Sequence, residues 1–123
     1  MSYDLQLNDP VTGECLTVDS PHQIRGGTHQ MGGTNELRLN VTYNYCAILN
    51  RVILGGNGAR DSIQALYGMT GAESIPILQY AISKLKDDIS DDYWAPTEGN
   101  VKQALCGLLT LAQMRPDGVW DGD

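Results

Sequence analysis

Leu37-Arg38-Leu39-Asn40-Val41-Thr42-Tyr43-Asn44, followed without a break by Tyr45-Cys46-Ala47-Ile48-Leu49-Asn50-Arg51-Val52-Ile53, decides how this chain folds. In the first part apolar and polar residues alternate. Leu37, Leu39, Val41 and Tyr43 fall on one side and Arg38, Asn40, Thr42 and Asn44 on the other, because successive side chains of a strand point to opposite faces. In the second part the period changes. Tyr45, Ile48, Leu49, Val52 and Ile53 recur at steps of three and four, which gathers one face of a helix, and Gly55-Gly56 closes it. A half-buried strand running straight into an amphipathic helix calls for a sheet with one wet face and helices on the other, an α+β arrangement.

Toward the N-terminus, Tyr3, Leu5 and Leu7 alternate with polar residues. Asn8-Asp9-Pro10 and Gly13 then supply turn chemistry, and Leu16 and Val18 resume the alternation. This pattern predicts a β-hairpin. Residues 19–36 read as a loop rich in Gly, Thr, His and Gln, of a length uncommon in compact domains unless it is functional or disordered. Toward the C-terminus, residues 61–67 predict a short helical stretch ended by Gly68. Thr70-Gly71-Ala72-Glu73 has the spacing of a capping box, followed by the stripe Ile75, Leu78, Ile82, Leu85 and Ile89. Pro76 leaves two starts open for that helix: Thr70 caps it and the first turn is kinked, or Ser74 is the cap. An acidic connector runs to Trp94-Ala95-Pro96, and Thr97 caps a last helix whose apolar face is Val101, Ala104, Leu105, Leu108, Leu109 and Ala112. Trp120 implies that the tail docks back on the domain. The expected fold is one domain, residues 1–123, with order β-β-β-α-α-α-α: a small antiparallel β-sheet, hairpin plus third strand, packed against three to four helices.

A chain of 123 residues buries roughly two thirds of its unfolded surface, enough for a core without staples. With no Phe, that core is built from Leu, Ile, Val, Ala, Met and Tyr. The net charge of −7 argues against a nucleic-acid partner, which needs a positive field. The excess acid sits in residues 87–123, either as a solvated face or as a docking surface for a basic protein. Cys15, Cys46 and Cys106 are odd in number and widely spaced, which suits reduced thiols in a cytoplasm. No apolar run suggests a membrane partner, and the first residues lack the pattern of a signal peptide.

Two polar features stand out. Gly26-Gly27-Thr28-His29-Gln30-Met31-Gly32-Gly33-Thr34 carries Gly-Gly-Thr twice. Such glycines let the backbone approach a ligand, and their N–H groups can nest a phosphate or carboxylate; alternatively they serve only the turns. Directly after it comes the polar strand face, with Arg38 as the natural partner of an anion and Asn40, Thr42 and Asn44 beside it, unless that face simply meets water. Tyr93, Trp94 and Thr97 place two aromatics beside a helix N-terminus, suited to a nucleotide-like ligand or to plugging the core. No catalytic set emerges, because His22 and His29 stand at no spacing that defines a nucleophilic pair or a metal site. Cys46 is the one candidate nucleophile, against the alternative of a buried thiol. No metal and no cofactor is expected.

With Asp9-Pro10-Val11-Thr12-Gly13, the paired Gly-Gly-Thr, Leu39-Asn40-Val41-Thr42-Tyr43-Asn44-Tyr45, Ala72-Glu73-Ser74-Ile75-Pro76, Asp91-Asp92-Tyr93-Trp94 and Arg115-Pro116-Asp117-Gly118-Val119-Trp120, the chain resembles a family of small phage and prophage proteins of Gram-positive bacteria. The activity of that family is not established, so the resemblance implies no catalytic residue. It implies a setting, the cytoplasm of an infected bacterium, and a counter-defence role. The expectation is a binding module that sequesters a nucleotide-derived immune signal, with Gly26, Gly27, Thr28, His29, Gly32, Gly33, Thr34, Arg38, Asn40, Thr42, Asn44, Tyr93, Trp94 and Thr97 as ligand-binding residues. Alternatives are an acidic inhibitor of a host defence protein and a small hydrolase acting on a nucleotide-like ligand. A site built from one loop and one strand is shallow, so a homo-oligomer is expected to complete it.

Overall fold

The computed structural model describes residues 2–24, 33–53 and 62–122. Five strands, β1 (Ser2–Asn8), β2 (Thr17–His22), β3 (Thr34–Glu36), β4 (Arg38–Thr42) and β5 (Val119–Gly122), form two antiparallel sheets. Three helices, α1 (Cys46–Val52), α2 (Gly71–Ser83) and α3 (Glu98–Met114), complete the fold, with 3-10 turns at Tyr43–Tyr45 and Ser62–Leu66. The α+β class expected from the sequence holds, with three α-helices.

The strand partners differ from the expected hairpin. β1 is the centre of the larger sheet, order β4-β1-β5, with Tyr3 opposite Val41, Leu5 opposite Leu39 and Leu7 opposite Trp120. This register places all six side chains in the core. The chain does turn back after β1, held by the Asp9 carboxylate, which accepts from the N–H groups of Val11 and Thr12 and is thereby held below the usual carboxylate range. The hairpin, however, lasts for a single bridge, Asn8 to Cys15. At Leu16 the chain leaves β1 and pairs as β2 with β3, inside the stretch read as a loop. Short polar strands such as Thr34-Asn35-Glu36 carry no apolar alternation, so a period-two search passes over them.

The two sheets meet at three buried leucines. Leu16 N donates to Leu7 O (2.8 Å), Leu37 N to Leu16 O (3.0 Å) and Leu7 N to Leu37 O (3.0 Å). Leu37 thus divides the expected strand at residues 37–44 from β3 and lets one run of chain serve both sheets. The strand also ends early. The Thr42 hydroxyl accepts from Asn44 N and winds residues 43–45 into the 3-10 turn, so Tyr43 leaves the core face and is 38% exposed.

α2 begins after Thr70, with both halves of the capping box formed, and carries Pro76 inside it. Ser74 is no cap: its buried hydroxyl donates to Gly71 O at 2.7 Å. The same hydroxyl accepts from Trp120 Nε1 at 2.8 Å, so the largest core side chain has its polar end satisfied. The tail therefore docks as a strand. Its approach also closes the helix start, because Gly71 N and Ala72 N donate to Gly118 O and Pro116 O. The closing glycines at 55 and 56, and Asp61, lie outside the described residues.

Trp120→Ala is expected to cost roughly 3–5 kcal/mol in urea unfolding, through lost burial and the cavity left behind. Ser74→Ala is expected to cost about 1–3 kcal/mol, because the indole N–H stays buried without an acceptor. In the Trp120→Phe background, Ser74→Ala should cost less than it does alone, since the donor has gone; an equal cost would show that the bond contributes nothing.

Candidate functional site

α3 owes its place to an apolar stripe, Val101, Ala104, Leu105, Leu108, Leu111 and Ala112, all buried against the sheet and α2. Beside that stripe runs a second one, Gln103, Cys106, Gly107 and Thr110, again at steps of three and four. Its side chains are short apart from the glutamine, and Ala104 and Gly107 add almost no bulk. The result is a groove of about 490 Å³ along the helix. Gln23 and Ile24, just after β2, form a second wall, and Ser90, Asp91 and Tyr93 from the connector form a third.

The connector is fixed by Asn100, which is 4% exposed. Its Nδ2 donates to Ala95 O (2.9 Å) and Asp92 O (3.0 Å), and its Oδ1 accepts from Ser90 N (3.0 Å). One amide thus gathers residues 90–95 into a compact turn over the start of α3. Gly99 permits the close approach: a Cβ there would stand 2.5 Å from the backbone of Asp88 and Ile89. Tyr93 is held from three sides. Its ring lies against Tyr45 (5.5 Å) and Trp94 (5.1 Å), its hydroxyl accepts from Thr42 N (3.3 Å), and its carbonyl accepts from the Tyr45 hydroxyl. Burial raises the pKa of both tyrosines.

The opposite wall is fixed by His22. Its Nδ1 accepts from Ile24 N (3.2 Å), so its Nε2 carries the proton and donates to Glu36 O (2.7 Å). His22 pairs with Thr34 across β2 and β3, and Gly33, at φ +79°, presses on the His22 carbonyl, where a Cβ would come within 2.5 Å. The hairpin is therefore clasped immediately before and after residues 25–32.

Of the residues singled out from the sequence, Tyr93 lines the groove and Gly33 and Thr34 close the hairpin base beside it. Asn44 and Thr42 support the connector from behind, Asn44 by donating to Trp94 O at 3.0 Å. Trp94 is half exposed, and the Thr97 hydroxyl caps α3 by accepting from Asn100 N at 3.1 Å. Arg38 and Asn40 lie on the outer face of the larger sheet, away from the groove. Arg38 pairs with Glu36 (3.3 Å) and donates to Gln6 (3.1 Å), while Asn40 donates to Ser2 (2.5 Å) and Asp4 (2.6 Å). Gly26, Gly27, Thr28, His29 and Gly32 lie outside the described residues. Sequence reading missed Gln23, Ile24, Asp91, Gln103, Cys106 and Thr110. The available flag was Gly107, since a glycine inside a helix costs about 1 kcal/mol relative to alanine.

The connector acids are mostly committed within the chain. Asp88 Oδ1 accepts from Gly99 N (2.9 Å), Asp92 Oδ1 accepts from Trp94 N (3.1 Å), and Asp87 pairs with Lys102 (2.7 Å). Glu98 accepts from Lys86 N (3.0 Å) and pairs with Arg51 (3.1 Å). Asp88 and Thr97 thereby occupy two of the first N–H groups of α3, where negative charge is favoured. Asp91, which lines the groove, alone of the four connector aspartates has a carboxylate with no hydrogen bond or ion pair among the described residues. Among the described residues, burial raises the pKa of the Cys106 thiol, which lowers its nucleophilicity, and both His22 nitrogens are engaged with backbone. No group of side chains there could hold a metal ion, and no helix there is long and apolar enough to cross a membrane.

Compared with protein-family models, curated proteins and solved structures, the chain matches none.

Asn100→Asp keeps the shape of the amide but removes both donors and sets a carboxylate against carbonyl oxygens. It is expected to destabilise the fold by about 3 kcal/mol or more in urea unfolding, no less than Asn100→Ala does. Unchanged stability would mean that the connector is held by other contacts.

Proposed function

We propose that this protein is a binding module for a nucleotide-like small molecule, and that the groove beside α3 is its site. The observation that carries the reading is the convergence of three independently clasped walls on a space of about 490 Å³, within the range of small-molecule sites. The lining mixes an aromatic ring, three amides, a carboxylate and apolar surface, which suits a ligand with a flat polar ring. In sequence, Ile24 is followed by Arg25-Gly26-Gly27-Thr28, residue types suited to a phosphate. In the setting that the resemblance implies, a phage-encoded module of this kind withholds a nucleotide-derived signal from a host defence. We favour sequestration over hydrolysis because burial raises the pKa of the groove thiol, Cys106, and lowers its nucleophilicity. Commitment of Asp87, Asp88 and Asp92 to internal partners weighs against the acidic inhibitor.

Thermal-shift titration with ADP-ribose, cyclic ADP-ribose isomers, NAD, ATP and cyclic di- and trinucleotides tests this. At least one is expected to raise the melting temperature in a concentration-dependent way and to be recovered intact. Cys106→Trp, which fills the groove from an exposed position, is expected to abolish the rise. Recovery of altered ligand would make the protein an enzyme, and no shift with any of them would turn the reading toward a protein partner.

The groove is open along Gln103, Cys106 and Thr110, all exposed, and we take a second copy of the chain to cover it. Light scattering is expected to give a mass above that of one chain, at least with ligand present; monomer under both conditions overturns this.

A further inference from the structure

We infer that the groove holds the nucleoside half of its ligand, with Asp91 receiving a free ribose cis-diol and the Gln23 and Gln103 amides receiving the edge of the base. This rests on the groove being the binding site. It adds which part of the ligand enters and which nucleotides are refused.

Three observations carry it. First, the described lining of the groove holds a carboxylate and no lysine or arginine. A phosphate placed against α3 would meet like charge from Asp91 with no lysine or arginine among the described lining residues, which favours placing the charged end of the ligand away from α3. Second, Asp91 is the connector aspartate left without an internal partner, while Asp87, Asp88 and Asp92 are engaged. An ionised carboxylate only accepts, through two oxygens, so its partner must bring donors. Two adjacent ribose hydroxyls present two donors at matching separation, the same chemistry by which an acidic side chain reads ribose in dinucleotide sites. Third, Gln23 and Gln103 make no hydrogen bond within the described residues and stand on two different walls. Each offers a donor pair and an acceptor, a set that fits the mixed edge of a heterocycle.

The inference separates two groups of nucleotides. ADP-ribose keeps free cis-diols. In 3′,3′-cyclic di-AMP the 3′ oxygens are esterified, and no cis-diol remains. Isothermal titration of the full chain with each, repeated with Asp91→Asn and Cys106→Trp, tests the point. The wild type is expected to bind ADP-ribose at least tenfold more tightly than 3′,3′-cyclic di-AMP. Asp91→Asn should weaken ADP-ribose at least tenfold and leave 3′,3′-cyclic di-AMP unchanged, because the substitution removes the charge and replaces one of the two acceptor oxygens with a donor while keeping the shape of the side chain. Asp91 is exposed and its side chain makes no hydrogen bond or ion pair among the described residues, so its variant is expected to fold; urea unfolding checks this for both variants, with Gln103→Trp as a second block.

If Cys106→Trp abolishes ADP-ribose binding while Asp91→Asn leaves it intact, the groove is the site but the diol assignment is overturned. Tight binding of 3′,3′-cyclic di-AMP has the same meaning. If the blocked variants bind ADP-ribose normally, the groove itself is the wrong site and the inference falls with it. Wild-type protein that binds neither compound also overturns it.

Discussion

A single buried amide, that of Asn100, sets the terms for everything around the groove. Once an asparagine sits in the first turn of a core helix, its donors and acceptor need partners, and here the backbone of the connector supplies them. The connector must therefore coil over the helix start, which fixes Tyr93 and Asp91 on one wall. Tyr93 in turn receives Thr42 N and the Tyr45 hydroxyl, so the end of β4 and the entry to α1 are tied to the same turn. A polar residue in the core is costly unless satisfied, and here its satisfaction organises three elements at once.

Charge behaves differently here from what composition alone implies. A net charge of −7 reads as an acidic surface, yet the acids nearest the groove act mainly as caps and partners. Asp88 and Thr97 close the start of α3, Glu98 joins α1 to the connector, and Asp9 shapes the first turn. Carboxylates used in this way act as short-range structural acceptors while keeping their charge.

The α+β class, the helix caps at Thr70 and Thr97 and the alternation in β1 and β4 were legible because each rests on local spacing. The pairing of β1 with β5 was not, since it joins residues from opposite ends of the chain and only Trp120 hinted at it. β3 and the part of β2 after Val18 escaped notice because their polar residues follow no period. Of the residues singled out from the sequence, Tyr93 lines the groove and Gly33 and Thr34 sit at the hairpin base. The polar face of β4 drew attention to Arg38 and Asn40, which pair across the sheet instead. The α3 stripe was hidden because Gln103, Cys106 and Thr110 look like an ordinary outer face until the connector folds over it.

The placement of β1 between β4 and β5 also bears on how the protein is made. A nascent chain that has emerged only as far as α3 has β1, β4 and the helices but lacks the strand that covers the second edge of β1. Leu7 would then have no Trp120 opposite it, and Gly71 and Ala72 would lack the carbonyls of the 116–118 turn. Contacts this distant in sequence form late and slow the search for the native state. Until residues 119–122 clear the ribosome, the chain carries an open strand edge beside exposed core leucines, the kind of intermediate on which chaperones act.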